Sequence, residues 1–247
     1  MPVFGAPATL LPAAPFSLLL RIPVAPAQPL AGAWNRAAVA AMLVVLPVFL
    51  QAPWVRLQPF SAAVFSAGLL TAALLLDRLG HGRWREVGQL LLGFTGSWLG
   101  GCLFWGWFRL HPVLHLPIEA FALPLALAGI NGRWRIACSF YLASLAGTAC
   151  TDTAMALTGV IAYWPLVLQA PLAEAPGLLT LAGRQLLHPS ALLTVAAAGS
   201  GLILVARRLW PGGSASRIAA AVLLTTLVVD GLFLAAALLS PRLSGLI

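Results

Sequence analysis

VLHLPIEAFALPLALAGI, residues 113–130, is the stretch on which the fold turns. A helix needs about 20 residues to cross roughly 30 Å of hydrocarbon, with about 17 to 25 tolerated, so this stretch is long enough. Pro117 and Pro124 interrupt it, and a re-entrant loop is the competing arrangement. Arginine decides between the two. If the stretch crosses, one side collects Arg21, Arg36, Arg78, Arg83, Arg85, Arg133, Arg135, Arg207, Arg208 and Arg217, and the other Arg56, Arg109, Arg184 and Arg242, ten against four. If it does not cross, the tally is seven against seven and the bias vanishes. The positive-inside rule therefore favours a crossing, with the N-terminus cytoplasmic and the C-terminus periplasmic or lumenal.

Working outward, six more apolar runs fall into place: Ala37 to Val55, Phe60 to Leu76, Val87 to Phe108, Ile136 to about Ala162, Ala191 to Val205, and Ile218 to Leu239. The expected fold is an all-α transmembrane bundle of about seven spans. Residues 37–247 form its single domain, and residues 1–36, rich in proline and alanine, form a disordered tail. The fifth run would be about 40 Å long as one helix, so it must tilt strongly or break. Its small residues Ala143, Gly147 and Thr151 recur every four positions, permitting close approach of a neighbouring helix until Met155 ends the stripe. Between the fifth and sixth runs, residues 165–190 are too polar to cross. There Thr180, Arg184 and His188 share one face and Leu178, Leu179, Ala182 and Leu186 the other, as in a helix lying flat in the interface.

Composition agrees and excludes much. The chain is 61% apolar and 8% charged, where a soluble chain carries roughly a quarter charged residues. All fourteen basic residues are arginine. The absence of lysine removes Schiff-base chemistry and the P-loop lysine. The arginines are scattered among loops, so membrane orientation explains the net charge of +8 better than nucleic acid does. Cys102, Cys138 and Cys150 have no metal-ligand spacing and read as packed hydrophobes, so no metal site is expected. Trp34, Trp84, Trp134 and Trp210 flank the cytoplasmic arginines, while Trp54, Trp105, Trp107 and Trp164 mark the opposite boundary, as two aromatic belts. A pigment- or quinone-stacking surface at Phe104, Trp105, Trp107 and Phe108 is the alternative. Gly82-Arg83-Trp84-Arg85 and Gly132-Arg133-Trp134-Arg135 repeat, and read as a convergent turn with an anchor.

Ionisable groups inside spans cost a few kcal/mol, so they mark the candidate sites. Asp230 falls near the bilayer centre. Asp152 lies between Thr151 and Thr153, in the middle or outer half of its run. As proton or cation sites they would face a polar interior; as structural groups they would be protonated or hydrogen-bonded to a packed neighbour. The second candidate, an outer gate, is Arg109, His111, His115 and Glu119. The intervals of four suit one helical face, but Pro112 and Pro117 argue against a continuous helix. A helix starting near Pro117 would put Glu119 in its first turn, with Arg109 as its ion-pair partner. A proton relay, or a haem, chlorophyll or metal ligand set, is the rival view. HExxH, GxSxG, CxxC and glycine-rich nucleotide loops are all lacking, so no enzyme is expected.

Residues 101–112, GCLFWGWFRLHP, followed by His115-Leu116-Pro117-Ile118-Glu119-Ala120 and by Phe140 to Asp152, resemble an uncharacterised cyanobacterial family of integral membrane proteins, a domain of unknown function. The likeness runs from about Trp34 to Pro165. It implies a plasma or thylakoid membrane and a link to photosynthesis, and supplies no catalytic residues. Three functions are compatible with these residues. The leading one is a small proton- or cation-coupled transporter that uses Asp152 and Asp230. The others are a scaffold or assembly factor for a photosynthetic complex, and a cofactor- or pigment-binding bundle. Only the last needs a cofactor: haem, chlorophyll or quinone. The lipid bilayer is the expected surrounding partner.

Overall fold

A computed structural model describes residues 30–239, with side chains from residue 36 onward. Most of the expected tail, residues 1–29, lies outside the described residues. Helix α1 (Leu30–Leu46) continues through a π turn, Pro47–Gln51, into α2 (Ala52–Leu57). Helices α3 (Pro59–Leu79) and α4 (Arg83–Leu103) follow, and α4 ends in a second π turn, Phe104–Phe108. The proline-bearing stretch comprises a 3-10 turn (Pro112–Leu114), α5 (His115–Glu119), a second 3-10 turn (Ala120–Ala122) and α6 (Leu123–Gly129). After it come α7 (Arg135–Leu157), a 3-10 turn (Val160–Ala162), α8 (Tyr163–Gln169), α9 (Ala175–Leu186), α10 (Pro189–Leu209) and α11 (Ser214–Leu239). Among the described residues there is no strand, and the fold is an all-α multi-span bundle.

Six segments are long and apolar enough to cross a membrane: Arg36–Leu57, Pro59–Leu79, Arg83–Phe108, Pro112–Gly129, Pro189–Leu209 and Ser214–Leu239. Arg135–Leu157 with Val160–Gln169, bent by 92°, brings the number to seven if the pair is one broken span. Helices suit this environment because every backbone polar group is satisfied within the segment.

Contacts between segments fix the direction of each pass. Arg36 meets Glu86 (2.6 Å) and Ser214 (2.8 Å), and Asp77 meets Arg133 (2.6 Å), so these residues share one end, the arginine end. At the far end, Trp164 donates to the Arg109 carbonyl (2.9 Å) and Gln185 to that of Thr158 (3.3 Å). Residues 112–129 therefore run from the far end, beside Arg109, back to the arginine end at Arg133. The proline-bearing stretch traverses the bundle.

It does so broken. Pro124 has no N–H for the Ala120 carbonyl, which takes the Leu123 N–H instead. The Glu119 carbonyl and the Ala122 N–H close the first bond of the 3-10 turn Ala120–Ala122, and Tyr141 of α7 braces both: its hydroxyl donates to the Glu119 carbonyl and accepts from Ala122 N (3.2 Å). Replacing Tyr141 with phenylalanine is expected to cost about 1 kcal/mol, the loss of two hydrogen bonds to backbone groups sheltered from water. Thermal unfolding in detergent reads it, and an unchanged melting temperature would refute the brace.

The fifth run also breaks, as its length requires. Helix α7 ends at Leu157, and Gly159, at φ +73°, takes the left-handed conformation that swings α8 aside. Earlier in α7, the small-residue stripe meets α11: a Cβ on Gly147 would come within 2.9 Å of Thr226. Helix α9 lies at the far end, burying Leu179, Ala182 and Gly183 and exposing Arg184, as expected of an interfacial helix.

Leu90, Phe94 and Trp98 of α4 pack with Phe140 of α7, Leu43 of α1 and Ile218 and Val222 of α11 to form the centre of the bundle. Between helices, lipid tails are as apolar as leucine, so association rests on close packing. One such close approach joins α3 to α4. A Cβ on Gly88 would lie 2.5 Å from the Asp77 backbone nitrogen and 2.8 Å from the Ala73 carbonyl oxygen, both backbone atoms that cannot turn aside. Gly88→Ala should therefore destabilise the protein by about 2 kcal/mol, in the range of overpacking. A variant as heat-stable as the parent would contradict this.

The two Gly-Arg-Trp-Arg motifs are more than separate anchors. Both converge on Asp77, which is 2% exposed. From the second motif, Arg133 (2.6 Å) and the Trp134 indole N–H (3.2 Å) donate to Oδ2. From the first motif, Arg85 lies 3.6 Å from Oδ1, to which Gln89 donates at 3.2 Å. One carboxylate thus ties the α3–α4 hairpin to the loop that opens α7.

Candidate functional site

The far half of the bundle holds the other ionisable groups. His115 opens α5, and Glu119 closes it one turn later, so both project from the same face. Asp152 reaches them from α7. Nδ1 of His115 lies 2.9 Å from Asp152 Oδ2 and 3.1 Å from Oδ1, while Nε2 lies 3.3 Å from Glu119 Oε1. The three side chains are largely enclosed, 11%, 13% and 17% exposed for His115, Asp152 and Glu119.

An imidazolium would present an N–H to each carboxylate, whereas a neutral ring has one N–H and leaves its other nitrogen as an acceptor.

Aromatic rings wall in the histidine. Phe104 is fully buried, with its centroid 4.3 Å from the imidazole, and Trp164 and Trp105 stand at 5.5 and 6.3 Å. Trp105 and Trp164 stack on each other at 5.2 Å. Two backbone irregularities supply these walls. The π turn at residues 104–108 rotates Phe104 and Trp105 inward while leaving Trp107 and Phe108 exposed, and π turns of this kind recur at functional sites. The left-handed Gly159 folds α8 back so that Trp164 covers the ring.

Next to Asp152 on α7, Thr151 turns toward α11. Its hydroxyl lies 2.6 Å from Asp230 Oδ2 and 3.2 Å from the Gly147 carbonyl. A hydroxyl has one hydrogen, and the shorter contact is the one in which Thr151 donates to the Asp230 carboxyl. Two polar units, Glu119–His115–Asp152 and Asp230–Thr151, thus meet α7 at consecutive residues. Together they join α5, α7 and α11.

Several expectations need correction. Of the four outer-gate candidates the structure brings His115 and Glu119 together and sets Arg109 and His111 apart from them. Arg109 forms no ion pair with Glu119: its carbonyl holds Trp164, and Glu119 faces His115. Glu119 ends a helix that opens at His115, instead of occupying the first turn of one opening near Pro117, because the 3-10 turn at Pro112 lets the chain coil before that proline. His111 is exposed and apart from the triad. Thr153 is also exposed. Its hydroxyl donates back to the Ala149 carbonyl (2.6 Å), and it lines a shallow groove between α7 and α10. Asp152 bonds the histidine of a packed neighbour, and the hydroxyl of Thr151 serves Asp230. The sequence singles out neither Tyr141 nor Asp77, and it reads Phe104 as part of a stacking surface and Trp164 as a belt residue, not as walls around a histidine. For Asp77 the available signal was that it is one of only six acids and lies between two arginine motifs.

A family model described as a protein of unknown function, DUF3120, matches residues 40–238. The chain belongs to that family. Its model takes in every residue of the triad, Thr151, Asp230 and the Asp77 cluster, and extends beyond the Trp34-to-Pro165 likeness seen in the sequence to include the last two spans. No curated protein and no solved structure matches the chain.

Proposed function

We propose that this protein is a small proton-coupled membrane transporter in which Glu119, His115 and Asp152 hold the coupling proton and Asp230, through Thr151, is a second carrier. One observation supports the reading above all: both nitrogens of a single enclosed imidazole face carboxylates inside the apolar part of the bundle. Groups so costly to insert are expected where protons or ions move. A scaffold would need no such cluster. In this reading the arginine end is cytoplasmic, the far end is periplasmic or lumenal, and the host membrane is a cyanobacterial plasma or thylakoid membrane.

The test uses the full chain in proteoliposomes with an entrapped pH-sensitive dye. Na+, K+, Mg2+ and Ca2+ are added outside in turn. At least one is expected to drive proton movement through the parent protein, and Asp152→Asn should abolish it while inserting normally. Absence of proton movement with every ion, or equal movement in the variant, would end the transport reading.

A further inference from the structure

Among the described residues, the arginine end carries nine guanidinium groups: Arg36, Arg85 and Arg133, together with Arg78, Arg83, Arg135, Arg207, Arg208 and Arg217. It carries two carboxylates, Asp77 and Glu86, and both are already engaged, Glu86 by Arg36 and Asp77 by Arg133 and Arg85. The remaining six have no carboxylate partner among the described residues. Residues 1–29 and 240–247 contain no Asp or Glu that could supply one.

These six lie on one connected surface. Arg36 bridges the first turn of α4 to Ser214 at the start of α11, and Asp77 bridges the α3–α4 turn to residues 133–134. The connections that carry them are short, residues 80–82, 130–134 and 210–213, so the guanidinium groups stay close to the helix ends. Trp84, Trp134 and Trp210 stand among them, 64%, 45% and 42% exposed. Indole rings in such positions sit at headgroup depth.

We propose that this end is a recognition surface for anionic phospholipid headgroups, whose phosphates are gripped by the six arginines without carboxylate partners. Arginine presents a planar fork that matches phosphate oxygens two at a time, which a lysine ammonium cannot do. The partner is a lipid and not a soluble polyanion, because short turns hold the charges within the headgroup layer.

Quenching of tryptophan fluorescence by brominated phosphatidylglycerol, compared with brominated phosphatidylcholine, tests this in the full chain reconstituted in mixed vesicles. The anionic lipid should be preferred about tenfold or more, since each guanidinium near an anionic surface adds several-fold. Replacing Arg83, Arg207 and Arg208 together with glutamine should bring the preference to about twofold without moving the melting temperature, and about 0.5 M salt should weaken it in the parent. Equal quenching by the two lipids, or an unchanged preference in the triple variant, would overturn the proposal. So would inorganic phosphate erasing the preference at millimolar concentration, which would assign the surface to a free anion.

Discussion

Asp77→Ala is expected to destabilise the protein by about 2–3 kcal/mol, more than most single substitutions do. The carboxylate is 2% exposed and accepts from Arg133, Trp134 and Gln89. Its removal leaves the Trp134 indole without an acceptor and the Gln89 amide with only the Arg133 carbonyl (3.1 Å). The loss stays below the roughly 3–5 kcal/mol of a fully buried broken pair, because Arg133 and Arg85 are 51% and 48% exposed and can turn to water or headgroups. Asp77→Asn keeps an acceptor for the indole and should lose about half as much. Reversible unfolding in detergent mixtures gives both values. An alanine variant within about 0.5 kcal/mol of the parent would mean the two arginine motifs are not tied together through this residue.

The second large effect is at the triad. His115→Phe preserves a ring among Phe104, Trp105 and Trp164 but removes the only group between Glu119 and Asp152. Two largely enclosed carboxylates are then left without a donor, at a cost of about 3 kcal/mol or more. Adding Glu119→Gln and Asp152→Asn removes the orphaned charges, and such neutral replacements of buried ionic groups are frequently close to neutral in stability. The triple variant should therefore recover most of the lost stability while carrying no proton. That combination separates the two roles of the cluster. A triple variant that still moved protons would divorce the triad from transport; one no more stable than His115→Phe alone would show that the histidine packs and does not neutralise.

The difference between what could and could not be read from the residues follows from distance along the chain. Apolar length and arginine placement are local or additive properties, so the helices, the passage of residues 112–129 and the break after α7 were all legible. Spacing within one helix was visible but outweighed by proline: His115 and Glu119 meet at an interval of four, although Pro112 and Pro117 argue against a continuous helix there. Partners on different helices were not. Asp152 bonds a residue 37 positions away and Asp230 one 79 positions away. Asp77 has partners 56 and 57 positions on, so its own neighbours in sequence do not point to them. Arg109 misled for the opposite reason, since nearness in sequence to Glu119 suggested a pair that the folded-back Trp164 pre-empts.

The bracing of the broken stretch by Tyr141 bears on how the chain is made. Until α7 has left the ribosome, residues 115–129 lack the hydroxyl that braces their interrupted backbone, and weakly paired peptide groups are poorly tolerated in hydrocarbon. The segment is therefore expected to wait beside the insertion machinery and enter lipid as a hairpin with α7. Nascent chains stalled before and after Tyr141 emerges would differ in whether this segment has been released.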